Sequence, residues 1–299
     1  MRFLIAFCLG ACSELIGGCC AHAAPVDESS PSLSTSATTD TESADPSASS
    51  ANDHPEPEGL ISFDYLNLIW ADAKETATEP LSWDGDDWRK FGLVGGGLLL
   101  SMVVLDKPIR DAAQRNRSAS SDRFFIRIQR FGTKQYGLPV LAGFYAYGEF
   151  ADDFESKTVA LDGLSASVIS ALVASSIKGI VGRARPSSGL GPHHFSPLQG
   201  DYSFPSGHAT GAFTFASVIA SHYDSFWVDA TAYGIAGLVG VARIQQDAHW
   251  ASDVVAGGLI GGLIGSHIVQ FNREWRANHP AFAPTIGTDG RQVLLSWEF

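Results

Sequence analysis

Apolar residues cluster in six long stretches beyond about residue 59, and polar or Pro- and Gly-rich segments separate these stretches. The stretches are rich in Ala, Gly, Leu and Val, and most are longer than a β-strand. Few segments show the sustained two-residue alternation of a strand, whereas Phe213, Ala216, Ser217 and Ala220 follow helical spacing. The pattern predicts an all-α fold, a helical bundle of about six core helices. The predicted core helices lie in Phe91–Leu105, Gly137–Gly148, Val159–Val181, Ala209–Ser221, Ala230–Ile244 and Val254–Phe271, and a further helix is predicted near Tyr65–Glu75.

The hydropathy of these helices leaves open whether they cross a membrane. Most of the apolar runs are shorter than the roughly 20 residues that a bilayer-spanning helix needs, and Asp162 interrupts the third stretch. The best candidate for a span is Val254–Phe271, in which Gly257, Gly261 and Gly265 recur every four residues. Small residues at this interval permit close helix contact, either in lipid or in a tight soluble core.

The N-terminal residues resemble a cleaved export signal. An apolar run follows Arg2, and Ala21-His22-Ala23 has the A-x-A form of a signal-peptidase site, which predicts an export signal over residues 1–23. All 4 cysteines precede Ala21, so cleavage after Ala23 leaves a mature chain without cysteine. Lipidation at Cys19 is the alternative, and it would attach the protein to a membrane by acyl chains. Both alternatives predict an exported protein that is periplasmic or membrane-associated in a bacterium.

The acidic residues concentrate in one segment, residues 24–58, which is rich in Ser, Thr, Ala and Pro. It contains eight of the acids behind the formal net charge of −12 and neither Lys nor Arg. Such a composition buries too little apolar area to fold, so a disordered linker is predicted here. The remaining chain carries little net charge, and nucleic acid is therefore not an expected partner.

The rest of the chain is divided into a helical domain over residues 59–275 and a tail over residues 276–299. In the tail, Val293, Leu295, Trp297 and Phe299 alternate with other residues. This two-residue period predicts a short C-terminal strand.

Three short motifs contain the candidate chemistry. In the first, Lys178 and Arg185 are separated by seven positions, about two helical turns, which predicts that both cations project from one helix face before Pro186 ends the helix. In the second, Ser203-Phe204-Pro205-Ser206-Gly207-His208 precedes an apolar helix, whose free N–H groups suit an anion. Taken alone, each motif also fits a plainer role, as charges that complement a helix dipole or as an N-cap.

The third motif runs from Arg243 to Asp253. Its His249 and Asp253 are four positions apart, which predicts that they are neighbours on one helix face. A carboxylate placed there can hold the imidazole tautomer whose other nitrogen is free to attack. A surface His–Asp pair without chemistry is the alternative.

Together the motifs read K-x6-R-P, P-S-G-H and R-x5-H-x3-D. They resemble the signature of the type 2 phosphatidic acid phosphatase superfamily, which includes class A acid phosphatases, lipid phosphatases and vanadium haloperoxidases. The resemblance covers Lys178–Asp253 and, by the helix pattern, about Phe91–Phe271. The third motif usually begins Ser-Arg, whereas Ala242 precedes Arg243 here.

The resemblance implies a phosphatase that needs no metal or cofactor and hydrolyses phosphate monoesters through a phosphohistidine. It implies His249 as the nucleophile, oriented by Asp253, and His208 as the general acid. The residues implied to bind the substrate phosphate are Lys178, Arg185, Ser206, Gly207 and Arg243.

Other polar residues near the motifs are expected not to bind phosphate directly. Arg183 lies inside the first motif at a variable position and is expected to support the site rather than bind phosphate. His193 and His194 are expected to be solvated loop residues. Substrate choice is expected to depend on the loop Ser187–Asp201.

Several functions remain open within this resemblance. An exported N-terminus followed by six spans would place the motifs on the cytoplasmic side, whereas the lipid phosphatases of the family normally act on the outer side. The sequence therefore favours a periplasmic enzyme that is non-spanning or peripherally attached. The first alternative is an integral enzyme acting on phosphatidate or polyprenyl diphosphate. The others are a vanadium haloperoxidase, in which His249 would ligate vanadate, and a non-enzymatic scaffold.

Overall fold

The computed structural model describes residues 63–200 and 202–278, and within them the chain forms a bundle of nine α-helices. This part of the chain contains no β-strand, and its single isolated bridge pairs Arg183 with Phe195. The predicted all-α bundle is thus confirmed. The helices are α1 (Phe63–Thr78), α2 (Gly85–Val104), α3 (Asp106–Arg115), α4 (Ala119–Ile128), α5 (Lys134–Ala151), α6 (Phe154–Val181), α7 (Gly207–His222), α8 (Phe226–Gln245) and α9 (Ala251–Asn278).

The six predicted core helices and the predicted first helix are all present. Two short helices, α3 and α4, were not predicted, because each has only ten residues and a largely polar sequence that resembles a loop. The predicted export signal, acidic linker and C-terminal strand lie outside the described residues.

The tightest packing in the bundle joins α7 to α9. The glycines Gly257, Gly261 and Gly265 lie in this contact, as their four-residue spacing predicts. A Cβ atom on Gly261 would lie 2.1 Å from the carbonyl oxygen of Thr210, so only glycine lets the two backbones approach this closely. The core beside this contact consists of Ala166, Ile169, Val218, Ile260, Leu263, Ile264, Ile268 and Val269.

The outer surface of the bundle is strongly apolar. Helices α6 and α9 have 28 residues each and are long and apolar enough to cross a membrane, and α2 with α3, bent by 50°, could form a third span. A helix of this length measures about 42 Å, more than the roughly 30 Å of a hydrocarbon core. An exposed apolar surface of this extent is typical of a surface that contacts lipid or another protein. The exposed set includes Leu99, Leu100, Val103, Val140, Tyr147, Phe150, Val168, Leu172, Ile180, Phe226, Trp227, Ile235, Leu238, Val241 and Val255.

The connections between the last four helices place the three motifs at one end of the bundle. The first motif lies at the C-terminus of α6, the second at the N-terminus of α7, and the third between α8 and α9. Backbone hydrogen bonds join these segments directly, from Ser203 to Arg183 at 2.8 Å and from Ser206 to Asp253 at 2.9 Å. The fold therefore builds one site from three distant parts of the chain.

Candidate active site

The first motif does not continue as a helix. Helix α6 ends at Val181 because Gly182 adopts a left-handed conformation with φ 57°. A Cβ atom on Gly182 would lie 2.1 Å from the carbonyl oxygen of Ser196. Arg185 therefore lies in extended backbone beyond the helix, and the predicted shared helix face of Lys178 and Arg185 is wrong. Both cations nevertheless lie near His208, and their charges act on its imidazole.

The side chain of Lys178 holds the second motif in place through hydrogen bonds. Its Nζ donates hydrogen bonds to the carbonyl oxygens of Pro205 at 2.7 Å and Tyr202 at 3.1 Å. Ser206 is the N-cap of α7, and Gly207 is exposed in the first turn. The first N–H groups of a helix have no partner within the helix, so this turn can bind an anion.

The imidazole of His249 is oriented by a backbone carbonyl. Its Nδ1 lies 2.7 Å from the carbonyl oxygen of Ser203 but 3.8 Å from the nearer carboxylate oxygen of Asp253. His249 precedes α9, whereas Asp253 lies in its first turn, so the predicted placement of the pair on one helix face is wrong. The tautomer protonated at Nδ1 satisfies the Ser203 carbonyl and leaves the lone pair on Nε2. A nucleophilic histidine attacks through an unprotonated nitrogen of this kind.

Asp253 instead collects the donors around His249. One of its carboxylate oxygens accepts from the hydroxyl of Ser203 at 2.5 Å and from the backbone N–H of Trp250 at 2.9 Å. The bond to Trp250 is the one that an acidic residue makes at the start of a helix. The other oxygen accepts from Arg183 at 2.6 Å. The carboxylate thus holds both segments that flank the His249 imidazole.

Arg183 is a fully buried support of this carboxylate. Besides Asp253, its guanidinium donates to Asp106 at 2.6 Å, to the Ser252 hydroxyl at 2.8 Å and to the Pro192 carbonyl. Asp106 in turn accepts from the N–H and hydroxyl of Ser252 at 2.8 and 2.6 Å. The expected supporting role of Arg183 fits this geometry, and the network extends it to α3.

Arg243 is nearly buried in the last turn of α8. One of its terminal nitrogens donates to the side chain of Gln129, while its Nε has no hydrogen-bond partner among the described residues. A buried guanidinium N–H without a partner is costly, and a phosphate oxygen would satisfy it. This observation fits the phosphate-binding role that the resemblance implies.

Both catalytic candidates are neutral at pH 7 in this arrangement. Burial, with the Arg243 guanidinium as the next cause, lowers the pKa of His208 to about 4. Burial also lowers the pKa of His249 to about 4, although Asp253 opposes this shift. A neutral His249 is ready to attack. A phosphate dianion beside His208 would raise its pKa, so substrate binding favours the protonated form that donates a proton.

Comparison with known proteins follows the same three motifs. Residues 160–277 match the family model of the PAP2 superfamily. This part of the chain belongs to the PAP2 superfamily. The matched region contains all three motifs and every predicted site residue.

Two curated relatives and one solved structure resemble this chain. A lipid A 1-phosphatase of Porphyromonas gingivalis is 37% identical over 81 residues, which cover 25% of this chain but only 18% of that protein. An undecaprenyl-diphosphatase of Sulfolobus acidocaldarius is 25% identical over 160 residues, 52% of this chain and 72% of that protein. The crystal structure of Aquifex aeolicus LpxE is 24% identical, with a TM-score of 0.44, and the match covers 56% of this chain and 96% of that one.

The structure adds supporting contacts that the motifs do not predict. Asp106 and Gln129 precede the matched PAP2 region and hold Arg183 and Arg243, respectively. Ser203 orients His249 through its backbone, which no sequence pattern signals. His193 and His194 are exposed, as expected for loop histidines.

A cavity of about 250 Å³ adjoins the PAP2 motifs between α5, α6 and α7. Lys178 and Gly207 line it at the motif end, so it borders two of the predicted phosphate-binding residues. Its walls are mainly small or apolar. They include Leu138, Ala171, Ala174, Gly211 and Phe215, together with the hydroxyl residues Ser167, Ser170, Ser175 and Thr210.

Proposed function

We propose that this protein is a membrane-embedded phosphatase that removes phosphate from lipid phosphates through a phosphohistidine. The observation that carries the proposal is the position of His249. Its Nδ1 is held by a carbonyl, and its environment is the cationic end of a bundle with a strongly apolar outer surface. The phosphohistidine chemistry explains the charges at this end, and the apolar surface explains the class of substrate.

In the first step, Nε2 of His249 attacks the phosphorus atom in line with the leaving oxygen. The N–P bond forms, the P–O ester bond breaks, and the leaving oxygen takes a proton from His208. Lys178, Arg185 and Arg243, with the first N–H groups of α7, stabilise the charge on the equatorial phosphate oxygens. Ser203 and Asp253 keep the imidazole in place throughout.

In the second step, water attacks the phosphorus atom of the phosphohistidine. His208, now neutral, takes a proton from this water as the N–P bond breaks. Inorganic phosphate leaves, and His249 returns to the tautomer protonated at Nδ1. The site residues supply the positive charge for both steps, so the chemistry requires no metal.

Three observations support a lipid rather than a soluble substrate. The two helices long enough for spans, α6 and α9, both contribute motif residues. The cavity beside Lys178 offers mainly apolar walls to a chain attached to the phosphate. The relatives named above act, by their names, on lipid A and undecaprenyl diphosphate. The integral-membrane alternative from the sequence is therefore favoured over the non-spanning one.

Phosphate release by the full-length protein in detergent tests this proposal. We expect metal-free turnover of micellar phosphatidate or a polyprenyl diphosphate, with kcat/KM at least about tenfold above that for a soluble aryl phosphate, because the aryl compound leaves the apolar cavity unfilled. The variant His249→Ala should lose on the order of 10⁴-fold or more in kcat. Vanadate should inhibit, since it mimics the phosphoryl group.

Three outcomes would contradict parts of the proposal. Equal turnover of the aryl phosphate would remove the lipid preference. Residual activity of His249→Ala near the wild-type level would remove the phosphohistidine. Vanadate-dependent oxidation of bromide, without phosphate release, would instead support the haloperoxidase alternative.

A further inference from the structure

A second buried polar cluster lies at the opposite end of the bundle from the motifs. Its centre is Asp162 on α6, which is fully buried. Asp162 accepts from Arg276 at 2.7 Å and from the Asn272 side-chain amide at 2.8 Å, and it lies 3.1 Å from His222. These contacts satisfy its charge. Asp162 lies 16 residues before Lys178 on the same helix, roughly 24 Å along its axis.

Next to Asp162 is a second buried carboxylate, and this one has no hydrogen-bond partner among the described residues. Asp72 on α1 is fully buried, and neither of its carboxylate oxygens has a hydrogen-bond partner. Ser165 on α6 and Asn272 on α9 lie close enough to lower the pKa of Asp72, but neither makes a hydrogen bond of ordinary geometry with it. Thr76 is one helical turn further along the same face of α1.

Three neighbours of Asp72 also have a buried oxygen atom that lacks a hydrogen-bond partner in the described part of the chain. The hydroxyl oxygens of Thr76 and Ser165 and the amide oxygen of Asn272 are also buried without hydrogen-bond partners. Buried polar atoms are almost always satisfied in folded proteins. Three helices thus present a group of unsatisfied oxygen atoms around one buried carboxylate.

The carboxylate needs either a proton or a counter-ion. An unpaired charge in an apolar interior is strongly unfavourable. Burial and the nearby Asp162 raise the pKa of Asp72 to about 8. Tyr65, Asp162 and Arg276 are the other ionisable groups that face it. A proton would neutralise the carboxylate, but the oxygen atoms of the group are not placed to hydrogen-bond to one another or to any other described residue.

We propose that Asp72, Thr76, Ser165 and Asn272 form a binding site for a monovalent alkali cation at the junction of α1, α6 and α9. Carboxylate, hydroxyl and amide oxygens are the ligands that hard cations prefer. The single unpaired carboxylate matches one positive charge. A divalent ion usually takes more acidic ligands, and no group of three or more His, Cys, Asp or Glu side chains suited to a metal occurs among the described residues.

A cation at this junction would fasten α1 to the bundle. Helix α1 also contacts the bundle through an apolar cluster of Tyr65, Leu68 and Leu161, against which Phe271 and Trp275 of α9 pack. The Tyr65 hydroxyl donates to the Leu161 carbonyl oxygen at 2.9 Å. Because the site is far from Lys178 and His249, the cation should affect the stability of the fold rather than the chemical step.

Thermal unfolding of the full-length protein in detergent tests the site. At pH 9 and constant ionic strength, we expect the midpoint to be about 5 °C higher in NaCl than in choline chloride, with a saturable dependence on Na⁺. The difference should shrink at pH 6, where a proton competes for Asp72. The variant Asp72→Asn should lose the difference, because it removes the charge and keeps the shape.

Two further variants make the test decisive. The variant Thr76→Val keeps the charge and removes one ligand, so it should need about tenfold more Na⁺ for the same effect. The matched control Asp111→Asn neutralises an exposed acid and should keep the full Na⁺ dependence. Equal midpoints in the two salts at pH 9 would overturn the cation site. Phosphate release by Asp72→Asn below its midpoint should equal that of the wild type, which separates this site from the catalytic one.

Discussion

Two groups position His249, one a backbone atom and the other a side chain. The Ser203 carbonyl binds Nδ1, whereas the Asp253 carboxylate holds Ser203 and Trp250 in position. The Ser203 hydroxyl therefore matters less than its backbone. A carbonyl also has an advantage here, because its hydrogen-bonding capacity does not change with pH.

This division predicts different effects for two substitutions. The variant Ser203→Ala keeps the carbonyl and should lower kcat by less than about tenfold. The variant Asp253→Asn replaces one acceptor oxygen by an amide nitrogen, so either the bond from Arg183 or the bonds from Ser203 and Trp250 are lost together with the negative charge. We expect kcat to fall by at least about 100-fold. Steady-state kinetics with one lipid phosphate checks both. Equal losses would show that the hydroxyl, not the backbone, orients the imidazole.

Arg183 supports the site through a buried ion-pair network with Asp106 and Asp253. The variant Arg183→Lys keeps the charge but cannot reach both carboxylates and the Pro192 carbonyl. Breaking such a pair costs about 3–5 kcal/mol, so the unfolding midpoint should fall by on the order of 10 °C. The control Lys107→Gln removes an exposed ion pair next to Asp106 and should change the midpoint by less than about 3 °C. Similar midpoints for the two variants would argue against the network.

At the scale of helices, glycine determines how closely α7 and α9 approach. Gly261 and Gly262 are adjacent and both buried, but only Gly261 faces the α7 backbone. A Cβ atom on Gly262 would have no neighbour within 4 Å. The pair therefore separates the effect of helix contact from that of helix propensity.

The variant Gly261→Ala should push the helices apart and lower the unfolding midpoint by several degrees, since its Cβ atom would meet backbone rather than a movable side chain. The variant Gly262→Ala should leave the midpoint unchanged or raise it slightly, because Ala favours a helix by about 0.5–1 kcal/mol over Gly. Unfolding of both variants in the same detergent measures the difference. Equal destabilisation would contradict a close contact at Gly261.

At the scale of the whole molecule, the site makes stability depend on pH. The pKa values of His208 and His249 are about 4 in the folded chain, below the ordinary value of 6.5. Between these values the unfolded chain binds more protons, so the free energy of unfolding falls as the pH falls through this window. Each histidine contributes at most about 1.4 kcal/mol per pH unit.

We therefore expect the unfolding midpoint to fall steadily from pH 6.5 to pH 4.5. The variant His208→Asn should show a shallower dependence, because one of the two groups no longer titrates. Midpoints of both proteins over this range provide the measurement. Asp72, whose pKa is raised, opposes this dependence in both proteins, so the comparison between them is decisive. Equal slopes for the wild type and His208→Asn would contradict the depressed pKa of His208.

The sequence predicted the core helices and the shared location of the motifs, because hydrophobic periodicity and motif spacing are local properties. It failed where a single backbone conformation decides the outcome. Gly182 ends α6 at Val181, four residues before Arg185, and the start of α9 at Ala251 separates His249 from Asp253. Asp106 is the first residue of the short helix α3 and Gln129 directly follows α4, and only the tertiary fold determines the positions of these segments. Their patterns contain no signal of the site.

The break after α6 also affects how an anion first meets the protein. Lys178 is bound to two carbonyls and Arg243 is nearly buried, whereas Arg185 is exposed on the segment beyond the break. Arg185 is thus the group that an approaching phosphate encounters before it sheds its hydration water. Attraction at an exposed cation is screened by salt over about 8–10 Å, whereas attraction inside the site is not. The association rate of the substrate should therefore depend on ionic strength, whereas the rate of the chemical step after binding should not. The break after α6 thus places substrate capture and catalysis on different cations.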